Sequence, residues 1–141
     1  MRVCGVELKS NEANISLLSL KSGLFQIPDC RARKLALSDN SAEGLRQFQA
    51  TFAKLLQDYK VEKVIIRQRP LKGKFAGGAI GFKLEAAIEL IDGVDVVVFS
   101  STDMKESLKH NPVSVDFAET GLKQFQEAAF TTAYAWLMRH G

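Results

Sequence analysis

The first 37 residues contain short apolar runs separated by polar turns, which is the pattern of β-strands. Val3 to Leu8 and Asn14 to Leu20 are predicted to form two strands joined by a polar hairpin loop. Leu24 begins a third predicted strand, which stops at Pro28 because proline has no backbone N–H for a sheet. Residues 33–37 could extend or add to this edge. This part of the chain therefore predicts an antiparallel meander of three strands.

From residue 41 onwards the pattern changes to helices alternating with buried strands. Continuous apolar runs predict the strands, and apolar residues at i, i+3 and i+4 predict the helices. In chain order, the predicted elements are a helix from Ser41 to Tyr59, a strand from Val61 to Ile66, a helix from Ile80 to Ile91, a strand from Val94 to Phe99, a short helix from Thr102 to His110 and a helix from about Gly121 to Arg139. Ser41 and Thr102 are the expected N-caps. The order predicts a mixed α/β sheet covered by helices, in one domain over residues 1–141.

Composition narrows the class of protein but does not identify a function. The chain has 141 residues, of which 46% are hydrophobic, so it can bury a core and is not predicted to be disordered. It contains no apolar run of the length needed to span a membrane, and Glu7 comes too early for a signal peptide. Cys4 and Cys30 form neither a metal-ligand spacing nor a disulfide framework. We expect a soluble cytoplasmic protein.

The positive charge is concentrated in one glycine-rich segment, residues 63–83. This segment contains no Asp or Glu, and its basic residues are Lys63, Arg67, Arg69, Lys72, Lys74 and Lys83. Because the formal net charge of the whole chain is only +3, the rest of the chain is mildly acidic. Clustered cations on a glycine-rich loop suit phosphate, since glycine lets the backbone approach and Lys or Arg neutralises the charge. A solvated loop without a ligand is the alternative that this pattern leaves open.

Four segments of the chain carry a resemblance to a known fold. They are Gly5-Val6-Glu7 on the first strand, the strand Val64–Ile66 followed by a loop and a helix near Gly78, the segment Ser100–Pro112 with Lys105, and the segment Gln124–Ala129. Their order resembles the ribonuclease-H-like fold, and in layout it is similar to Holliday-junction-resolvase-like proteins of the RuvC and YqgF type. The whole chain also looks similar to a small bacterial family of unknown function, which has Gly-Lys-Phe-Ala-Gly-Gly in this loop.

The resemblance implies a mixed five-stranded sheet, with an antiparallel meander of three strands followed by two parallel strands, flanked by helices. In that fold, carboxylates from the first strand, the fourth strand and the last helix hold two Mg²⁺ ions for phosphodiester cleavage. Glu7 and Glu127 are the matching positions, as catalytic residues and as the metal ligands if there are any. Mg or Mn is the implied cofactor, and nucleic acid is the implied partner.

The chain departs from the family pattern at these positions. Glu7 stands where aspartate is usual, and the fourth strand ends in Ile66-Arg67-Gln68-Arg69, with no acid. A guanidinium near Glu7 would supply positive charge without an ion. We therefore expect Arg67 or Arg69 to pair with Glu7 or Glu127, and the metal site to be lost. The predicted nucleic-acid or phosphate ligands are Arg67, Arg69, Lys72, Lys74 and Lys83.

Three functions follow from these patterns. The first is nucleic-acid binding by a ribonuclease-H-like protein whose resolvase-type active site is degenerate or altered. The second is a non-enzymatic module that binds a protein or assembles with itself, for example as a homodimer. The third, ranked below the others, is an active Mg- or Mn-dependent nuclease of resolvase type, in which Glu85 or Asp103 completes the ligand set.

Overall fold

A mixed six-stranded sheet forms the centre of the structure, a computed structural model that describes residues 1–72 and 78–140. Its strands are β1 (Arg2–Lys9), β2 (Glu12–Lys21), β3 (Leu24–Gln26), β4 (Lys34–Ala36), β5 (Lys63–Arg67) and β6 (Asp95–Phe99). The order across the sheet is β3-β2-β1-β5-β6, and β4 also pairs with β2. Strands β1, β2 and β3 form an antiparallel meander, while β5 is parallel to both β1 and β6.

The short strand β4 is the difference from the five strands expected. It pairs with residues 12–14 of β2, whereas β3 pairs with residues 19–21 of the same strand. Both short strands therefore lie along the edge of β2 that faces away from β1. Strand β2 has ten residues, so this edge is long enough for two partners of three residues each. Residues 33–37, which the sequence pattern allowed as an extension of this edge, contain the second of these partners, β4.

Four α-helices cover the two faces of the sheet. They are α1 (Ala42–Asp58), α2 (Ala79–Glu89), α3 (Ser101–His110) and α4 (Glu127–His140). The expected cap of α1 is confirmed, since Ser41 Oγ accepts the backbone N–H of Gly44 at 3.1 Å. Among residues 1–72 and 78–140, the structure has no helix with the length and apolar character that crossing a membrane requires.

Two helices begin elsewhere than the sequence pattern predicted. Ser100 Oγ accepts the N–H of Asp103 at 3.1 Å, so Ser100 and not Thr102 caps α3. The last helix begins at Glu127, because the preceding residues form two short 3₁₀ turns around Gly121, which has a φ of +79°. Gln126 at the end of this stretch is buried and donates to the carbonyl of Ile15 at 2.9 Å. The turns therefore attach the start of α4 to β2.

The core has two layers, one on each face of the sheet. Helices α1 and α2 cover the first face with fully buried side chains that include Phe52, Leu55, Leu84 and Ile88. Helix α4 covers the other face, where small residues such as Ala129 and Ala133 are completely buried beneath it. Alternate residues of each strand face opposite layers, and this accounts for the continuous apolar runs in β5 and β6.

Helix α4 approaches β1 so closely that one position on the strand has no room for a side chain. A β-carbon at Gly5 would overlap the carbonyl oxygen of Ala129 and would lie 2.9 Å from the β-carbon of Ala133. Gly5 precedes Glu7 by two residues on β1, and Glu127 precedes Ala129 by two residues on α4. The contact at Gly5 therefore sets the distance between the two predicted site acids.

Replacement of Gly5 tests this packing. In Gly5→Ala the new methyl meets backbone, so α4 has to move, and we expect the free energy of unfolding to fall by about 1–3 kcal/mol or more. Gly78→Ala is the matched control, since Gly78 has a φ of −74° and nothing within 4 Å of an added β-carbon. The control is expected to change stability by less than about 1 kcal/mol. Urea unfolding measures both, and equal midpoints for the two variants would contradict the packing argument.

Candidate functional site

A cleft of about 910 Å³ lies at the carboxyl ends of β1 and β5. The register of these parallel strands places Val6 beside Ile66, so Glu7 and Arg67 follow on adjacent strands at this end of the sheet. Charged and polar side chains from the segment that follows β5 and from helix α3 also line it. The residues of the cleft used below are Glu7, Lys9, Arg67, Gln68, Arg69, Ser101 and Lys105.

Strand and helix spacing explains why these side chains meet. Glu7 and Lys9 are two residues apart on β1 and therefore lie on one face of the sheet. Ser101 and Lys105 are four residues apart on α3 and lie on one face of that helix. The Gln68 side chain accepts the Ser101 N–H at 3.3 Å. This bond fixes the start of α3 against the end of β5.

Positive charge predominates in the cleft. Four cations, Lys9, Arg67, Arg69 and Lys105, line it with one carboxylate, Glu7. No ion pair found in residues 1–72 and 78–140 includes any of these five side chains. The charges of Lys9, Arg67 and Lys105 are therefore without a counter-charge among the described residues.

Glu7 is held by an amide and not by an arginine. Asn14, directly opposite on β2, donates from Nδ2 to Glu7 Oε1 at 3.2 Å, and only 5% of Asn14 is exposed. Within the described part of the chain, no ion pair joins Arg67 or Arg69 to Glu7 or Glu127. The expected arginine–glutamate pair is therefore not formed. The carboxylate on the first strand is oriented by its neighbour across the meander instead.

Glu127 lies beside Glu7 in an adjoining cleft of about 650 Å³. Glu7 and Lys9 line both clefts, and Lys123 and Gln124 complete the second one. The Glu127 side chain is exposed and accepts a hydrogen bond from Gln124 Nε2 at 3.3 Å. The structure thus brings the two predicted acids to a common cleft, with Lys9 between the two cavities.

Arg69 holds the end of β5 to the start of α2. Its guanidinium carbon lies 4.2 Å from the centre of the Phe82 ring, and Nη2 donates to the Gly78 carbonyl at 3.3 Å. There is no side chain at Gly81 to displace it. Burial raises the pKa of the nearby Glu85 carboxyl, and the Glu89 carboxylate adds to the rise, while Arg69 opposes it. Arg69 therefore has structural contacts in addition to its place in the cleft.

Two other predicted cations, Lys72 and Lys83, do not line the cleft. Lys72 is exposed and does not line the cleft, and Lys74 falls outside the described residues. Lys83 donates to Asn40 Oδ1 at 2.9 Å and lines a separate groove between α1 and α2. The structure adds Lys9 and Lys105 to the lining of the cleft. The sequence contained a signal for Lys9, because it lies two residues after Glu7 on the same strand. The position of Lys105 could not be predicted in this way, since it depends on how α3 docks on the sheet.

The residues present do not fit a pair of divalent cations. Mg²⁺ prefers carboxylate oxygen, but the larger cleft offers one carboxylate among four cations. In the parts of the chain that the structure describes, no group of three or more His, Cys, Asp or Glu side chains could hold a metal ion. Asp103, one of the acids considered as a further ligand, forms an ion pair with Arg139 at 3.6 Å, and neither it nor Glu85 lines the cleft.

Comparison with known proteins identifies the fold. A family model described as "Protein of unknown function (DUF3010)" matches residues 1–136, in agreement with the expected likeness to a family of unknown function. No curated protein matches the chain in sequence.

Solved structures similar to this one include Holliday junction resolvases. Thermus thermophilus RuvC has a TM-score of 0.73 at 13% identity, and its complex with Holliday junction substrate has a TM-score of 0.70 at 15% identity. Both comparisons cover 98% of this chain and 94% of the other. The fowlpox virus Holliday junction resolvase has a TM-score of 0.55 at 12% identity, with 99% of each chain covered. The predicted resolvase-like ribonuclease-H fold is thereby confirmed.

The contact between Arg69 and Gly81 predicts an energetic coupling. Alanine ordinarily stabilises a helix relative to glycine by up to about 1 kcal/mol. In Gly81→Ala the methyl would displace Arg69 from Phe82, so part of that gain is lost, and the full gain should return in an Arg69→Ala background. We expect a coupling of about 0.5–1 kcal/mol, measured by urea unfolding of the four proteins in a double-mutant cycle. Strictly additive changes would show that the two residues do not interact.

Proposed function

The chain belongs to the DUF3010 family of proteins of unknown function, and we propose that it binds nucleic acid through an altered resolvase-type site. The observation that carries this proposal is the cleft at the carboxyl end of the sheet. Its four cations form no ion pairs among the described residues, and the cleft is about 910 Å³ in volume. Unpaired Lys and Arg side chains attract phosphate, and release of the phosphate counterions favours binding.

The fold supports the choice of nucleic acid over other polyanions. Two of the solved structures that resemble this chain are resolvases with Holliday junction DNA, from T. thermophilus and from fowlpox virus. We infer that Arg67 and Lys105 contact the nucleic-acid backbone inside the cleft. Lys72, Lys74 and Lys83 remain contacts predicted from the sequence. Arg69 contributes through the part of its side chain that lines the cleft.

We propose binding without metal-dependent cleavage. Glu7 and Glu127 are the two acids that the fold brings together, and they remain the candidates for any chemistry. Because the residues of the cleft do not fit two divalent cations, the metal-dependent cleavage that the resemblance implies is not assigned to this chain. Mg or Mn as a cofactor stays a prediction of the resemblance. Cleavage of a labelled four-way junction in Mn²⁺, absent in Glu7→Gln, would establish the nuclease instead.

A charge-matched pair of double variants tests the proposed interface. Arg67→Gln with Lys105→Gln removes two cations from the cleft. Lys54→Gln with Lys60→Gln removes two from the last turn of α1 and the turn after it, which precede β5 and so lie at the opposite end of the sheet. We expect the first pair to weaken binding of single strands, duplexes and four-way junctions by roughly tenfold or more, and to reduce the slope of log K against log salt by about 1 for each cation that binds a phosphate. Fluorescence anisotropy over a series of salt concentrations measures both effects.

The control pair should leave affinity within about threefold, because five-residue β5, roughly 16 Å long, separates the two ends of the sheet and the Debye length is about 10 Å. Absence of binding to all three nucleic acids at low salt would overturn the proposal. An equal loss of affinity in the two double variants would show that overall charge, and not the cleft, determines binding.

A further inference from the structure

We propose that the cleft binds a phosphate group directly, with Arg67 and Lys105 as its ligands and no divalent cation between protein and phosphate. The inference rests on the proposed function, in which the phosphate belongs to a nucleic-acid backbone. Binding of the phosphate group is nevertheless a separate property of the site, and it can be measured separately.

The charge of the cleft selects an anion. Among the described residues that line it, four cations face one carboxylate, so three of their positive charges have no counter-charge in this lining. A divalent cation at this place would be repelled by Lys9, Arg67, Arg69 and Lys105, with one carboxylate to attract it. A phosphate group would be attracted by the same four side chains. The charges that line the cleft therefore favour an anion over a cation as its ligand.

The positions of Arg67 and Lys105 also suit direct binding of phosphate. Arg67 is half-buried at the end of β5, so its guanidinium is less free to move than that of an exposed arginine. A guanidinium can bind two phosphate oxygens at once, with two parallel N–H donors. Lys105 reaches the cleft from a different element, α3, whose start is fixed to β5 by the bond between Gln68 and Ser101. The two cations therefore line one cleft from two elements that a hydrogen bond joins.

Glu7 has opposite effects in an anion site and in a cation site. If the cleft held a metal ion, Glu7 would be a ligand, and its loss would weaken binding. In a phosphate site the Glu7 carboxylate repels the ligand, so its loss should strengthen binding. Glu7→Gln keeps the oxygen that accepts from Asn14 Nδ2, so the geometry of this strand end is preserved while the charge is removed. The sign of the change in affinity thus distinguishes the two sites.

Backbone amide NMR spectra recorded during a titration with inorganic phosphate in EDTA provide the test. We expect saturable shifts for the amides of Arg67, Gln68 and Ser101. In Glu7→Gln the affinity should rise by about threefold to tenfold, the effect of removing one like charge at a distance of several ångströms. In Arg67→Gln it should fall by roughly tenfold. Glu62→Gln removes the same charge from an exposed residue just before β5 begins and should change the affinity by less than about twofold.

Two results would overturn the inference. One is the absence of any saturable phosphate-dependent shift at these amides in EDTA. The other is a shift of the same amides on addition of Mg²⁺ alone that disappears in Glu7→Gln, which would identify a cation site.

A parallel titration with a labelled oligonucleotide in EDTA separates this inference from the proposed function. Oligonucleotide binding that inorganic phosphate competes away would identify the nucleic-acid backbone as the source of the phosphate. Phosphate binding without oligonucleotide binding would leave the phosphate site in place and refute the nucleic-acid function. Oligonucleotide binding without the phosphate-dependent amide shifts would support the nucleic-acid function and refute the direct phosphate site.

Discussion

The close contact between α4 and β1 is the constraint on which the rest of the structure depends. Because Gly5 has no side chain, the backbone of α4 at Ala129 lies directly on the strand. The buried Gln126 side chain, just before α4, ties the start of this helix to β2. Both predicted site acids are only two residues from this contact. Packing in the core therefore determines the geometry at the edge of the sheet.

Fold class and most elements could be predicted from the sequence because they follow from local patterns. The apolar run of β5 and the cap at Ser41 are examples in which neighbours along the chain decide the structure. The start of α4 could not be predicted in this way, since Gln126 finds its partner at Ile15, far away in sequence. Likewise, nothing local shows that a ten-residue strand would pair with two short strands along one edge.

The location of the candidate site could be predicted from the sequence, but the side-chain partners within it could not. The positions of Glu7 and Arg67 at adjacent strand ends follow from the order of the strands and from the parallel register. The partner of Glu7 does not, because Asn14 and the arginines were equally available in sequence and only the hairpin register selects the amide. Arg69 differs again, since its stacking on Phe82 depends on how α2 docks. Side-chain partners across elements are the part that sequence patterns do not contain.

The two short strands on β2 also have a consequence for how copies of this chain meet one another. An uncovered strand edge presents unpaired N–H and C=O groups and is a template for association between molecules. Strands β3 and β4 cover the two ends of the edge of β2, the longest strand. At the opposite edge, β6 has five residues and begins with Asp95, whose side chain is 79% exposed. Short edge strands and an edge charge both oppose aggregation, so the sheet resists intermolecular strand pairing along both of its margins.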